Sequence, residues 1–222
     1  MKFTTSSGQL AAEFNPFFGE DYLAQILEAV AVAWRQMPKP KPTEIENRIT
    51  SPLAGWLLNA PGFAGELPFH IVPQHELPDI NGKILGRLDI CFKHLQSTRD
   101  YFAVEAKRLH VPYGSGMQPE YAAYAGSDGM MAFIEGQYPQ NLPAGGMLGY
   151  VMDGETSKAW SGLATRIEAR HQELKLGVSS KLTKSKLSHV EASGMSGTLL
   201  GETAHQIGHK LRLFHLLLPV MN

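Results

Sequence analysis

Three side chains in one short stretch could do chemistry together. Asp89 sits inside the apolar run Gly86-Arg87-Leu88-Asp89-Ile90-Cys91-Phe92, and Glu105 and Lys107 close the run Tyr101-Phe102-Ala103-Val104-Glu105-Ala106-Lys107. Both runs read as strands. Alternation at period two puts Glu105 and Lys107 on one face and Phe102, Val104 and Ala106 on the other. In the preceding run it puts Asp89 with Arg87 and Cys91, opposed by Leu88, Ile90 and Phe92. If the runs form a hairpin, two carboxylates and an ammonium share one sheet face. Such a cluster suits Mg²⁺, a hard cation that takes one or two carboxylates, keeps several waters and also takes phosphate oxygens. A metal so held neutralises a scissile phosphate and acidifies a bound water, while the lysine positions that water or stabilises the developing charge. An unpaired carboxylate among Leu88 and Ile90 would be costly unless it bound something. The plainer explanation is a surface ladder of charges, since Glu and Lys alternate on many solvent-facing strands.

The elements that must position these groups can be read from periodicity. Leu23, Ile26, Leu27, Val30 and Trp34 predict an amphipathic helix over Asp21–Met37, ended by Pro38-Lys39-Pro40-Lys41-Pro42. Thr43 opens a second helix with Glu46 at capping-box spacing and Ile45, Ile49, Leu53, Trp56 and Leu57 as its stripe; Pro52 should kink or break it. Strands are expected at about Leu67–Pro73, Ile84–Phe92 (after an Asn81-Gly82 turn), Tyr101–Ala106 and Met147–Met152. A helix is expected from Pro119 to about Ile134 and another over Thr156–Leu176. Leu211–Leu218 reads as a last buried strand. Residues 1–20 look irregular. The order predicts a single α/β domain over 1–222, a mixed central β-sheet flanked by helices.

The pattern of Asp89, a 15-residue spacer and Glu105-Ala106-Lys107 resembles the D…ExK core of the PD-(D/E)XK nuclease superfamily, the restriction-endonuclease-like fold. Its α-β-β-β-α-β core would cover about 43–152, with N- and C-terminal additions. The resemblance implies a divalent-metal-dependent nuclease that hydrolyses DNA phosphodiester bonds, with Mg²⁺ (Mn²⁺ can substitute) on Asp89 and Glu105, and Lys107 catalytic. The family's early helix often adds a glutamate. Glu46 shares a face with Ile49, Thr50, Leu53 and Leu57, whereas Glu44 shares one with Asn47, Arg48, Ser51 and Gly55, so Glu46 is chosen as the further metal or catalytic carboxylate; the alternative is that it only closes the capping box. Leu88 stands where the family often has Pro. A literal Pro78-Asp79 precedes the Asn-Gly turn, and Asp79 is the fallback for Asp89.

Secondary candidates surround this core. Gln118 and Tyr121 at the head of the following helix, and Arg108 after the lysine, could touch a DNA backbone; Tyr124 is expected to pack in the core. Lys181 and Lys184 belong to a stretch, Leu174–Val190, with four lysines and no acid, which could hold phosphates or be a solvated loop. His205 and His209 at i, i+4 could bind a metal on a helix but are read as structural. Cys91, the single cysteine, excludes an internal disulfide and is read as buried.

Composition limits the rest. Twenty basic against 21 acidic residues give a formal charge of −1, so DNA binding would need a local patch, a homodimer or a protein partner supplying specificity or ATPase activity. Apolar residues are 43%, enough for a sizeable core, with no membrane span or signal peptide expected and a reducing cytoplasm as the expected compartment. Restriction, phage defence, mobile-element or repair settings would suit such a nuclease. The other classes are a non-catalytic binding or assembly subunit on the same fold and an RNA- or structure-specific nuclease.

Overall fold

A computed structural model describes residues 19–59, 69–78, 81–95, 101–138, 142–187 and 197–221. Two helices come first, α1 (Glu20–Gln36) and α2 (Glu46–Asn59), then three strands, β1 (Phe69–Pro78), β2 (Ile84–His94) and β3 (Tyr101–Leu109). A small hairpin, β4 (Val111–Tyr113) and β5 (Gly116–Gln118), leads to the short helices α3 (Tyr121–Tyr124) and α4 (Met130–Ile134). Strand β6 (Ala144–Val151), helix α5 (Thr156–Ala169) and strands β7 (Thr183–Lys184), β8 (Leu199–Gln206) and β9 (Lys210–Pro219) complete the order.

The fold is α/β. One seven-stranded mixed sheet runs β1-β2-β3-β6-β9-β8-β7. β1, β2 and β3 form an antiparallel meander; β3, β6 and β9 are parallel; β8 returns antiparallel to β9. Ile90, Phe92, Phe102, Val104, Leu148, Tyr150 and Phe214 pack on one face with Ile26, Val30 and Trp34 of α1 and Ile49, Leu53 and Leu57 of α2. Cys91, Ala103, Leu109, Met147, Val151 and Leu217 pack on the other with α3, α4 and Leu163 and Ile167 of α5. Every residue of β6 is buried, as a parallel strand covered on both faces requires. Trp34 ties α1 to the far end of the chain: its Nε1–H donates to the Pro219 carbonyl at 3.0 Å, and its ring stacks on Tyr150 at 5.3 Å.

The hydrophobic pattern places α1 and the last strand to within a residue or two. Elsewhere the structure corrects it. α2 begins at Glu46, so the Thr43–Glu46 capping box is not the geometry used, and Ile45 lies outside the helix, exposed. Trp56 is partly exposed too. Pro52 lies inside one continuous helix; the carbonyl its missing N–H leaves without a partner is that of Arg48, an exposed residue. β1 runs longer than expected, to Pro78, and the expected Leu67 and Pro68, like Asp79, fall outside the described residues. The helix expected over 119–134 is instead two short helices, α3 and α4, with turns between them. Between them Gly126 and Gly129 approach backbone: an added Cβ would lie 2.7 Å from the Ala122 carbonyl oxygen and 2.1 Å from that of Tyr124. α5 stops at Ala169, seven residues early, where a run of turns begins.

The C-terminal half holds a chain of buried polar groups. His205 lies on strand β8 and His209 in the turn before β9, so the helical i, i+4 pair does not exist. His205 Nδ1 bonds the Leu174 carbonyl at 2.6 Å and its Nε2 lies 2.7 Å from Thr203 Oγ1. Thr203 Oγ1 also meets His215 Nε2 at 2.9 Å, and His215 Nδ1 meets the Tyr124 hydroxyl at 3.0 Å. Burial lowers both imidazoles, His205 to about 4 and His215 to about 3. Tyr124 is core, as expected, but its hydroxyl is satisfied 91 residues away.

Candidate functional site

The site forms where β2 and β3 part. Their last paired residues are Ile90 opposite Val104, so Asp89 and Glu105 come next on the two strands. There the Asp89 side chain takes over: its Oδ2 accepts the Ala106 backbone N–H at 2.8 Å. Oδ1 accepts Gln74 Nε2 from β1 at 3.1 Å. Gln74 stands opposite Asp89 in the β1–β2 ribbon with φ +50°, a value uncommon for a residue with a side chain. The alternation of β2 breaks at the same point: Ile90 packs under α2 but Leu88 packs on the opposite face with Cys91. This local twist, not simple alternation, sets the direction of Asp89.

Glu105 and Lys107 meet directly. Lys107 Nζ donates to Glu105 Oε1 at 2.7 Å, to Glu46 Oε1 at 3.2 Å and to the Ala106 carbonyl at 2.8 Å. Glu105 Oε2 accepts the Tyr138 hydroxyl at 2.6 Å. Glu46 is placed by being the first residue of α2, and it also receives the Arg108 backbone N–H. Glu44 offers only its carbonyl, to Arg108 Nη1 at 3.1 Å. Asp89, Glu105, Lys107 and Glu46 thus form one cluster, and Glu46 rather than Glu44 is the helix carboxylate in it.

The electrostatics are those of crowded buried acids. Asp89 and Glu105 are buried, at 7% and 6% exposure. Burial, then the Asp89 carboxylate, pushes Glu105 up to about 8 against the pull of Lys107 and Tyr138. Burial, with a contribution from Asp89, also raises Glu46, although Lys107 opposes it. Burial disfavours the Lys107 ammonium, but Glu105 and Glu46 outweigh it and hold its pKa above the ordinary value. The donor set suits a hard dication in part. The Asp89 carboxylate makes Glu105 costly to ionise, and a dication between them would relieve that, yet among the described residues no three His, Cys, Asp or Glu side chains gather to hold a metal ion by themselves. Each carboxylate oxygen of Asp89 and Glu105 already accepts a hydrogen bond.

The secondary candidates disperse. Gln118 is exposed on β5, not at a helix head, and its Nε2 reaches Ser115 Oγ at 3.4 Å. Tyr121 opens α3, but its hydroxyl lies 2.6 Å from His110 Nε2. His110 Nδ1 in turn meets both Asp153 carboxylate oxygens at 2.8 Å, across the ends of β3 and β6. The Tyr121 ring fills the place a Cβ on Gly162 would need, 2.1 Å away. Lys181 and Lys184 lie by β7 at the far edge of the sheet, where Lys181 lines a polar recess with Glu202, Lys210 and Arg212. They are not brought to Asp89. Cys91 is buried, and burial pushes its thiol up to about 12.

Gln74, Tyr138 and the His110–Asp153 pair are polar partners that periodicity did not single out. Gln74 and Tyr138 hold a carboxylate from 15 and 33 residues away, and no local spacing announces either. No helix among the described residues is long and apolar enough to cross a membrane. No protein-family model, curated protein or solved structure matches the chain.

Proposed function

We propose that the chain is a divalent-metal-dependent nuclease that hydrolyses DNA phosphodiester bonds. The observation that carries this is the meeting of Asp89, Glu105 and Lys107 at the parting of β2 and β3. The order of α2, an antiparallel β1-β2-β3 meander, short helices and a β6 parallel to β3 supports the resemblance to the restriction-endonuclease-like core. Asp89 and Glu105 would hold Mg²⁺. Bound there, the ion would supply charge neutralisation at the phosphate and an acidified water. Lys107, held by Glu46 and the Ala106 carbonyl, would turn the N–H it now gives to Glu105 towards the attacking water or a phosphate oxygen. Tyr138 and Gln74 hold the two carboxylates in orientation, and burial limits competing water.

A second reading rests on how completely those carboxylates are partnered within the chain. On it, the cluster is a structural knot in a non-catalytic binding or assembly subunit. One experiment separates the two. Plasmid and single-stranded DNA are incubated with the protein and Mg²⁺ or Mn²⁺, beside Lys107→Ala and Asp89→Asn. The nuclease reading expects metal-dependent nicking that falls by roughly 100-fold or more in both variants. Absence of cleavage, together with no calorimetric Mg²⁺ binding to the wild type, leaves the assembly reading.

A further inference from the structure

At the far edge of the sheet the chain meets β8 twice and bows away in between. Leu176 pairs with His205, and Thr183 and Lys184 pair with Glu202 and Gly201. Residues 177–182 bridge the gap. Gly177 gives its N–H to the Ala204 carbonyl at 3.1 Å, and Ala204 gives its own to Ser180 Oγ at 2.9 Å. A side chain thus closes the ladder of β8 where a strand would otherwise close it, and the space left there is a recess of about 160 Å³. The bowed segment contributes Ser180, Lys181 and Thr183 to its wall; β8 and β9 contribute Glu202, Lys210 and Arg212.

The wall is held in place from beneath. Leu182 is buried, and with the Trp160 ring it fills the room a side chain on Gly201 would take: they lie 2.9 and 2.5 Å from where a Cβ would sit. That anchor fixes Lys181 and Thr183, its neighbours on either side. The Arg212 guanidinium lies over the Phe214 ring at 5.0 Å. Its Nη1 donates to Glu20 Oε1 at 2.8 Å and its Nη2 to Glu202 Oε2 at 3.0 Å. Ser185 Oγ donates to the same Glu202 oxygen at 2.9 Å. Both nearby carboxylates are therefore engaged with Arg212. Among the described residues neither Lys181 nor Lys210 has a carboxylate partner.

Charge narrows the occupant. Three cations stand against one carboxylate in the wall, and the balance stays positive when Glu20 is counted. Like charges gathered in one recess repel, and an anion among them removes that cost. A phosphate group matches the wall better than a carboxylate. It brings about 1.5 to 2 negative charges at neutral pH and three acceptor oxygens. Ser180 accepts from Ala204 and still has its own hydrogen to give beside the ammoniums. A nucleic-acid strand matches worse, because its neighbouring phosphates would pass the Glu20 and Glu202 carboxylates, whereas a single terminal phosphate need not.

We propose that this recess is a second binding site, for the phosphate of a small molecule: free phosphate or a phosphate monoester. The proposal does not rest on the nuclease reading of the Asp89 cluster. Occupied, the recess ties residues 177–184 to the start of β9, because Ser180 and Lys181 reach the anion from one and Lys210 and Arg212 from the other.

The test titrates the full chain with inorganic phosphate and, separately, with glucose 6-phosphate, chloride holding the ionic strength constant. Thermal unfolding and amide hydrogen exchange are both read. At roughly ten times its dissociation constant the ligand shifts the folding equilibrium about ten-fold, which is about 3–6 °C in Tm. Exchange in 177–184 should slow at the same time. Lys181→Gln with Lys210→Gln should weaken binding by roughly ten-fold or more and keep the wild-type Tm in chloride. Lys41→Gln with Lys158→Gln removes the same charge elsewhere and should leave binding unchanged. Binding of both ligands supports a site for a terminal phosphate, and binding of inorganic phosphate alone supports a site for the free ion. A Tm rise that merely follows ionic strength overturns the proposal. So does an equal loss of binding in the two double variants, or protection that falls outside 177–184 and the start of β9. Succinate binding as tightly as phosphate would refute the choice of phosphate. A single-stranded oligonucleotide displacing either ligand from a tighter complex would assign the recess to a nucleic-acid chain and refute it too.

Discussion

Replacing Glu105 with Gln should flatten the dependence of stability on pH. The folded carboxyl titrates at about 8, against an ordinary value of 4.5, because burial and Asp89 disfavour its charge. Between those values the folded chain holds a proton that the unfolded chain has released. Stability is therefore greatest below about 4.5 and falls as pH rises through about 8. From pH 6 to pH 9 the folded group passes through about two units of unfavourable ionisation, a ceiling of about 2–3 kcal/mol at ~1.4 kcal/mol per unit. That value already includes the pull of Lys107, so about 2–3 kcal/mol should separate wild type and variant in their change over this range. For a chain of this length that is about 4–12 °C in Tm. Thermal unfolding followed by circular dichroism at pH 6, 7, 8 and 9 measures it. The wild type should lose Tm over this range, and Glu105→Gln should lose less and exceed the wild type at pH 9. Parallel curves for the two proteins would refute the argument that Glu105 is held in a destabilising environment. The His205 and His215 imidazoles do not confuse the comparison. Their depressed values mean stability that starts to fall as pH drops below about 6.5 and goes on falling towards about 4 and 3, which lowers the pH 6 point equally in wild type and variant and cancels in the difference.

Two further outcomes follow from packing. Thr203→Val leaves both buried imidazoles without their shared partner and should cost about 2–4 kcal/mol in urea unfolding; a loss below ~1 kcal/mol would mean the network contributes little. Gly162→Ala places a methyl group against the Tyr121 ring and should cost about 1–3 kcal/mol by forcing that hydroxyl off His110. A tyrosine resonance unchanged in chemical shift would count against the strain.

Much of this fold and its site was legible from residue order because the dominant signals are local. Leu23, Ile26, Leu27, Val30 and Trp34 mark α1 by spacing alone, and Leu211–Leu218 is too apolar to be anything but interior. Asp89, Glu105 and Lys107 could be brought together on paper because two neighbouring strands carry them. What escaped was set by tertiary contact. Strand β8 reads Leu-Leu-Gly-Glu-Thr-Ala-His-Gln, a weak pattern, because Gly201 yields its side-chain room to the Trp160 ring, 2.5 Å from where a Cβ would sit. The segment 119–134 looks helical by composition, but its glycines make close backbone approaches that no periodicity reports. The twist at Gln74 and Asp89 is a property of two strands wound together, and Tyr138 reaches Glu105 from a loop. Lys181 and Lys184 looked useful by charge, yet strand order puts β3 and β7 at positions three and seven of the sheet.

The buried chain from Tyr124 to Leu174 can run in one sense only. A carbonyl cannot donate, so His205 must carry its hydrogen on Nδ1, Thr203 must give its own to His205, His215 must protonate Nε2, and Tyr124 must give to His215. That arrangement requires Gly201 to face His215 and Thr203 to face Leu213 across β8 and β9. Sliding β8 by two positions would keep its inward and outward sides and leave the leucine-rich partner equally covered. It would also strand four polar groups in the interior. Hydrophobicity alone cannot tell these alignments apart, and the single-file hydrogen bonds act as the pin that does.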